Sequence, residues 1–75
     1  MWEHDFTELK VILSQNIKNL RRDRGLAQER LGLESGVDRT LVSKIERQLA
    51  NPSLEILSKI AGYLEVSVIE LLTKR

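Results

Sequence analysis

The chain has 75 residues with no cysteine, one histidine and one proline, and 12 Lys and Arg stand against 11 Asp and Glu for a formal net charge of +1 at pH 7. That length allows one small domain over residues 1–75 with a marginal core, and the missing thiols exclude a disulfide framework or thiolate metal site, while one histidine builds no zinc site. No apolar run approaches the roughly 20 residues of a membrane span and Met1-Trp2-Glu3-His4-Asp5 lacks the basic start of a signal peptide, so the expectation is a cytoplasmic protein with no metal, no cofactor, no membrane and no evident small-molecule ligand.

The distribution of charge says more than its sum. Residues 1–9 carry three acidic groups and no Lys or Arg, residues 10–47 carry nine basic against five acidic, and residues 48–75 carry three of each. The positive excess therefore falls on the first three predicted helices, a distribution that would suit a polyanionic partner.

Phe6, Leu9, Leu13, Ile17 and Leu20 recur at steps of three and four, which predicts a helix from about Thr7 to Arg24. Asp5 with Glu8, or Thr7, is the expected cap, and Gly25 the stop. Trp2 is expected to cover the edge of the core. A second helix comes next, from about Gln28 to Glu34 with Leu31 inward, and Ser35-Gly36-Val37-Asp38 then interrupts the pattern. Gly36 can enter the left-handed region and end that helix, and the Asp38 carboxylate can cap the third, which runs from about Arg39 to Arg47.

At about 100° per residue, Val42, Ile45 and Leu49 share the core side of this third helix, and Thr40, Ser43, Lys44 and Arg47 share the opposite side. Arg39 reaches forward at one flank and Glu46 lies at the other. Gln48 to Ser53 reads as a loop in which Pro52 forbids helix and Ser53 caps the fourth helix. That helix, about Leu54 to Leu64, places Leu54, Leu57, Ala61 and Leu64 inward and Ile56 and Tyr63 outward, with Ile60 bridging the two faces. Ser67 and Glu70 form a capping box for a short fifth helix that ends near Leu72, and Val68, Ile69, Leu71 and Leu72 make it apolar almost all round.

A helix face of Arg, Thr, Ser, Lys and Arg carries the donors and hydroxyls that base edges and phosphates accept in a DNA major groove. Most polar helix faces are merely solvated, and composition does not choose between the two. No nucleophile–base set is formed by Ser43, His4 and the carboxylates, and there is no Gly-rich phosphate loop, so the chain is not expected to be an enzyme.

Gln28, Leu31, Gly36, Val37, Val42 and the run Ser43-Lys44-Ile45-Glu46-Arg47, with Asn51-Pro52-Ser53-Leu54 after it, resemble the Cro and phage-repressor type of helix-turn-helix protein. The resemblance spans about Leu13 to Leu72. Asp38-Arg39-Thr40, with Ser43 and Ile45-Glu46-Arg47, is also similar to the small controller proteins of restriction–modification systems. It implies an all-α, five-helix, lambda-repressor-like fold with a helix-turn-helix at residues 28–47 and a dimerisation region at 54–72. The implied function is a sequence-specific transcriptional regulator, repressor or activator, that binds double-stranded DNA as a homodimer on a palindromic operator.

Arg39, Thr40, Ser43 and Lys44 are then the base-reading candidates, and Gln28, Arg47 and Asn51 the backbone contacts. Gln28 is equally readable as an ordinary exposed glutamine, and Leu41 as either a thymine-methyl contact or a packing residue. Arg21 and Glu46 correspond to an ion pair that braces the first helix against the third. The chain departs from the family pattern at Ala27, where a Ser or Thr cap worth about 1 kcal/mol is usual, and at Gly32, where Ala is usual and Gly costs about 1 kcal/mol of propensity. Both departures imply a softer motif. Gln48 occupies a place where the family often has Gly.

Ile56, Ile60, Tyr63, Val68, Ile69 and Leu72 supply surplus apolar surface, which points to a homodimer through the fourth and fifth helices. The alternative is a monomer with Trp2 as a lid. A second functional class, a protein-interaction module such as the DNA-binding antitoxin of a toxin–antitoxin pair, would put the same apolar end against another protein.

Overall fold

Five helices and no strand make up the computed structural model, which describes residues 1–75. They are α1 (Trp2–Asp23), α2 (Gln28–Ser35), α3 (Arg39–Glu46), α4 (Leu54–Leu64) and α5 (Val68–Leu71). The all-α order of five helices is the expected one.

α1 starts about one and a half turns before its apolar stripe requires, with Met1 at the N-cap and no side-chain cap bond, so Asp5, Thr7 and Glu8 lie inside the helix and do not cap it. Glu3 and Asp5 in the first turn suit the positive end of the helix dipole. Burial begins only at Leu13, because the first turns project past the other helices. Trp2 is 70% exposed and leans on Phe6, ring centroids 6.4 Å apart, while the Lys10 ammonium lies 4.5 Å from the centre of the Phe6 ring. Trp2 therefore does not cover the edge of the core as expected, and the lid of the monomer alternative is absent: the ring packs along its own helix. At the other end the Gly25 and Leu26 amides donate to Arg22 O at 2.9 Å and Arg21 O at 3.0 Å, a Schellman closure that satisfies two of the last carbonyls of α1.

α2 ends at Gly36, whose φ of 76° is left-handed, and the Asp38 carboxylate opens α3 by accepting from the Thr40 amide at 2.7 Å. Between them the chain passes so close to α2 that a Cβ on Gly32 would meet Val37 O at 2.5 Å and Arg39 Cα at 3.3 Å. The close contact with the third helix that the family pattern implies at this position is therefore present. The glycine is what admits the approach, and the alanine of the family pattern would force the turn outward.

α3 stops at Glu46. Gln48 takes φ 64° and the Leu49 amide returns to Lys44 O at 2.8 Å, so the 3.6-residue period is broken before Leu49 and that side chain is 65% exposed instead of in the core. The core comprises Leu13 and Ile17 of α1, Leu31 of α2, Val37, Val42 and Ile45, Leu57, Ile60, Ala61 and Leu64 of α4, and Leu71 of α5. On α4 the inward stripe is thus Leu57, Ile60, Ala61 and Leu64, the full set at i, i+3, i+4 and i+7. Two expectations fall with it: Ile60 is fully buried and cannot serve an interface, and Leu54, at the first position of α4 ahead of the packed turns, is 73% exposed.

Two polar side chains of α1 and its border tie down the C-terminal half. Asn16 is buried on the apolar stripe, and its Nδ2 donates to Leu71 O and Thr73 O at 2.9 Å each, with Glu70 O at 3.3 Å. Two N–H groups thus serve three carbonyls at the end of α5, one of them shared. Arg24 closes α4 in the same way, Nη2 donating to Leu64 O at 2.6 Å, a cation at the negative end of a helix. The capping box of Ser67 and Glu70 is complete in both directions, at 3.0 Å each.

Candidate nucleic-acid interface

α3 presents two chemically different faces. Val42 and Ile45 are buried in the core, while Arg39, Thr40, Lys44 and Arg47 are exposed and Ser43 is half-buried. Thr40 and Lys44 line a shallow depression with Asp38 and Leu41 at the leading edge of the helix. Leu41 is partly buried and packs on the core, so its methyls are only partly free.

What holds this face outward is a buried polar knot behind it. Glu46 is 3% exposed. Arg21 grips its carboxylate bidentately with the Nε–Nη2 edge of the guanidinium, Nε donating to Oε2 at 2.7 Å and Nη2 to Oε1 at 2.9 Å, and Gln28 Nε2 donates to the same Oε1 at 3.0 Å. The remaining Arg21 Nη1 donates to Leu26 O at 2.7 Å, and Ser14 Oγ donates to the Glu46 carbonyl at 3.0 Å. One residue at the end of α3 is therefore bonded to α1, to the α1–α2 turn through Arg21, and to α2.

Burial alone pushes the Glu46 carboxyl up, but the hydrogen bonds from Arg21 and Gln28 and the charges of Arg21 and Lys18 outweigh it and hold the group below the usual carboxylate range. The bond to Glu46 raises Arg21 in turn, against the opposing effect of burial. Both groups are charged at neutral pH, and no buried side-chain polar atom in the chain lacks a partner.

The remaining candidates divide. Gln28 donates one side-chain N–H to Glu46, so this side chain belongs to the knot as well as to the N-terminus of α2. Arg39 does not hang free: its Nη1 lies 3.0 Å from Oε2 of Glu29 on α2, both side chains largely exposed. Arg47 folds back over its own helix, Nε to Ser43 O at 3.4 Å. Asn51 is exposed but sits on another groove, with Trp2, Asp5, Phe6 and Leu9. Of the apolar set, Ile56, Tyr63, Val68 and Leu72 are half-buried at the core edge, and Ile69 is 77% exposed.

Sequence reasoning missed Ser14, Asn16, Arg24 and Glu29. For the first two there was a signal, since each is a polar residue beside Leu13 and Ile17 on an apolar stripe. No three His, Cys, Asp or Glu side chains converge as a metal site, and no helix is long and apolar enough to cross a membrane.

A short helix locked to its predecessor through a glycine turn and turned polar side outward is the helix-turn-helix of a DNA-binding protein. The chain belongs to the helix-turn-helix family HTH_3, whose profile matches residues 17–71. It is a DNA-binding transcriptional regulator of that family, not an enzyme. Control protein C.SmaI of Serratia marcescens is 37% identical over 70 residues, which cover 93% of this chain and 83% of C.SmaI. The restriction-modification controller protein C.AhdI from Aeromonas hydrophila superposes with a TM-score of 0.78 at 39% identity, over 83% of this chain and 94% of that one. The biofilm regulator SinR, solved in complex with DNA, gives a TM-score of 0.78 at 39% identity over 81% of this chain and 98% of that one.

Proposed function

We propose that the chain acts in the cytoplasm as a sequence-specific homodimer on a palindromic operator, with its two α3 helices in successive major grooves about 34 Å apart. The observation that carries this reading is the braced α3, whose outer face of Arg39, Thr40, Ser43 and Lys44 makes one side-chain hydrogen bond to another helix, from Arg39 to Glu29. Arg39 is assigned a guanine edge; Thr40 and Ser43 are assigned neighbouring bases, and Lys44 a base or a phosphate. Arg47, Asn51 and the N-terminal amides of α2 at Gln28 hold the register on phosphate.

The dimer forms through residues 54–72, with Ile69 at its centre and Ile56, Tyr63, Val68 and Leu72 around it. The likeness to C.SmaI and C.AhdI favours a controller-type regulator over a partner-bound antitoxin. Such a dimer blocks polymerase when it covers a promoter and recruits it from just upstream. Its concentration is the control variable, through dimerisation and cooperative occupation of adjacent sites.

Selection of bound duplexes from a random pool tests the reading. The wild-type chain is expected to enrich a palindrome with half-site centres about ten base pairs apart, and Arg39→Ala to relax one position per half-site. Absence of any enriched sequence at moderate salt would overturn it.

A further inference from the structure

Glu29 is the acidic side chain of another helix that forms an ion pair with the outer face of α3. It occupies the second position of α2, beside Gln28, and its Oε2 lies 3.0 Å from Arg39 Nη1. Neither residue is buried, so the bond is no fold-holding contact; an exposed pair of this kind contributes little to stability. A carboxylate placed where phosphates are expected to pass is a cost to affinity, since it repels the backbone whose charge dominates binding. Its place in the first turn of α2 suits the helix dipole, and its bond to Arg39 changes what that arginine can do.

The donor count shows how. A guanidinium has five N–H groups, of which the Glu29 contact engages one, so a parallel pair remains for O6 and N7 of a guanine. The contact is one oxygen to one nitrogen, and Glu29 keeps its other oxygen free. A free carboxylate oxygen beside a guanine-bound arginine can accept from a cytosine N4 amino group and from nothing on a phosphate.

We propose that Glu29 is a positioning residue that holds the Arg39 guanidinium for a base edge, denies it the adjacent phosphate, and makes a G·C pair the preferred occupant of that position. The proposal rests on the DNA-reading assignment of α3 above, and it exchanges affinity for discrimination.

The test measures binding of the full chain to the selected duplex, to duplexes with each other base pair at the Arg39 position, and to a random duplex, over a range of salt. It compares wild type, Glu29→Ala, Glu29→Gln, Arg39→Ala and the Glu29→Ala/Arg39→Ala double variant. Glu29→Ala is expected to bind the random duplex about threefold or more tighter, while discrimination at the Arg39 position falls about five- to tenfold, within the range of one bidentate base contact. Glu29→Gln, which keeps an acceptor without the charge, is expected to restore part of the discrimination, and the double variant to discriminate no worse than Arg39→Ala. Tighter binding to every duplex alike, with discrimination unchanged within twofold, would overturn the proposal and leave the regulator reading intact. So would an equal loss from Glu29→Ala when Arg39 is already absent. A wild-type chain that discriminates no sequence at all would overturn both.

Discussion

Gln48 carries a left-handed backbone, φ 64°, at the exit of α3, a conformation that costs an L-residue with a side chain roughly 1 kcal/mol relative to glycine. Gln48→Gly is therefore expected to raise the melting temperature by about 4–8 °C, the shift that 1 kcal/mol produces in a domain of this size. Gly32→Ala is expected to lower it despite the better helix propensity of alanine, since the added Cβ meets backbone at 2.5 Å. Thermal unfolding of the two variants beside the wild type checks both signs. A rise for Gly32→Ala would show that the α2–α3 turn yields freely.

Glu46 is the residue on which the two helices of the motif are hung. Its carboxyl is held below the usual range by its partners, so it contributes stability that is fully present above that range and lost as pH falls through it toward the lowered value. Denaturant midpoints are expected to hold between pH 7 and about 5 and to fall below that, and Glu46→Gln is expected to start lower and to lose less on acidification. Equal acid sensitivity in the variant would place the titrating group elsewhere. Arg21→Ala strands the buried carboxylate and is expected to cost about 3–5 kcal/mol, whereas Arg21→Met with Glu46→Leu recovers most of that loss. The pair thus orients α3 more than it stabilises the fold.

Among the elements, the legible features are those with local causes. Asp38, Ser53 and Ser67 mark the starts of α3, α4 and α5 because a cap and the amide it serves lie within three residues. The beginning of α1 is illegible for the opposite reason: a helix that projects past its core needs no apolar partner, so the stripe understates its length. On α4 both Leu54 and Ile60 continue a plausible stripe from Leu57, and only the position of α2 decides which one is covered. The Asn16 contact with Leu71 joins residues 55 apart and the Ser14 contact with Glu46 joins residues 32 apart, so neither partner could be read locally. For the interface, the outer face of α3 follows from its period, but the Glu29–Arg39 contact crosses from one helix to the next and does not.

At the scale of the whole molecule, a 75-residue chain with its core on one side of α4 and α5 leaves Ile69 at 77% exposure. Because that side chain is largely exposed, Ile69→Lys is expected to leave the helix content unchanged while abolishing the proposed dimer. Binding to the palindrome is expected to weaken roughly 100-fold or more, the loss of one tethered half-site, and the melting temperature to lose its dependence on concentration. Sedimentation of the variant and the wild type over a range of concentration checks this. A dimer that survives the change would move the interface away from α5.

The most direct test is spacing. Wild-type protein is titrated against two duplexes that carry the same selected half-sites, one at the native separation and one with five base pairs inserted between them, which turns the second half-site to the far side of the helix. Two rigidly braced α3 helices in one dimer predict tight binding to the first and loss of at least tenfold on the second. Equal affinity for both would contradict the account, because independent half-site binding requires neither the dimer nor the fixed orientation that the Arg21–Glu46 knot imposes.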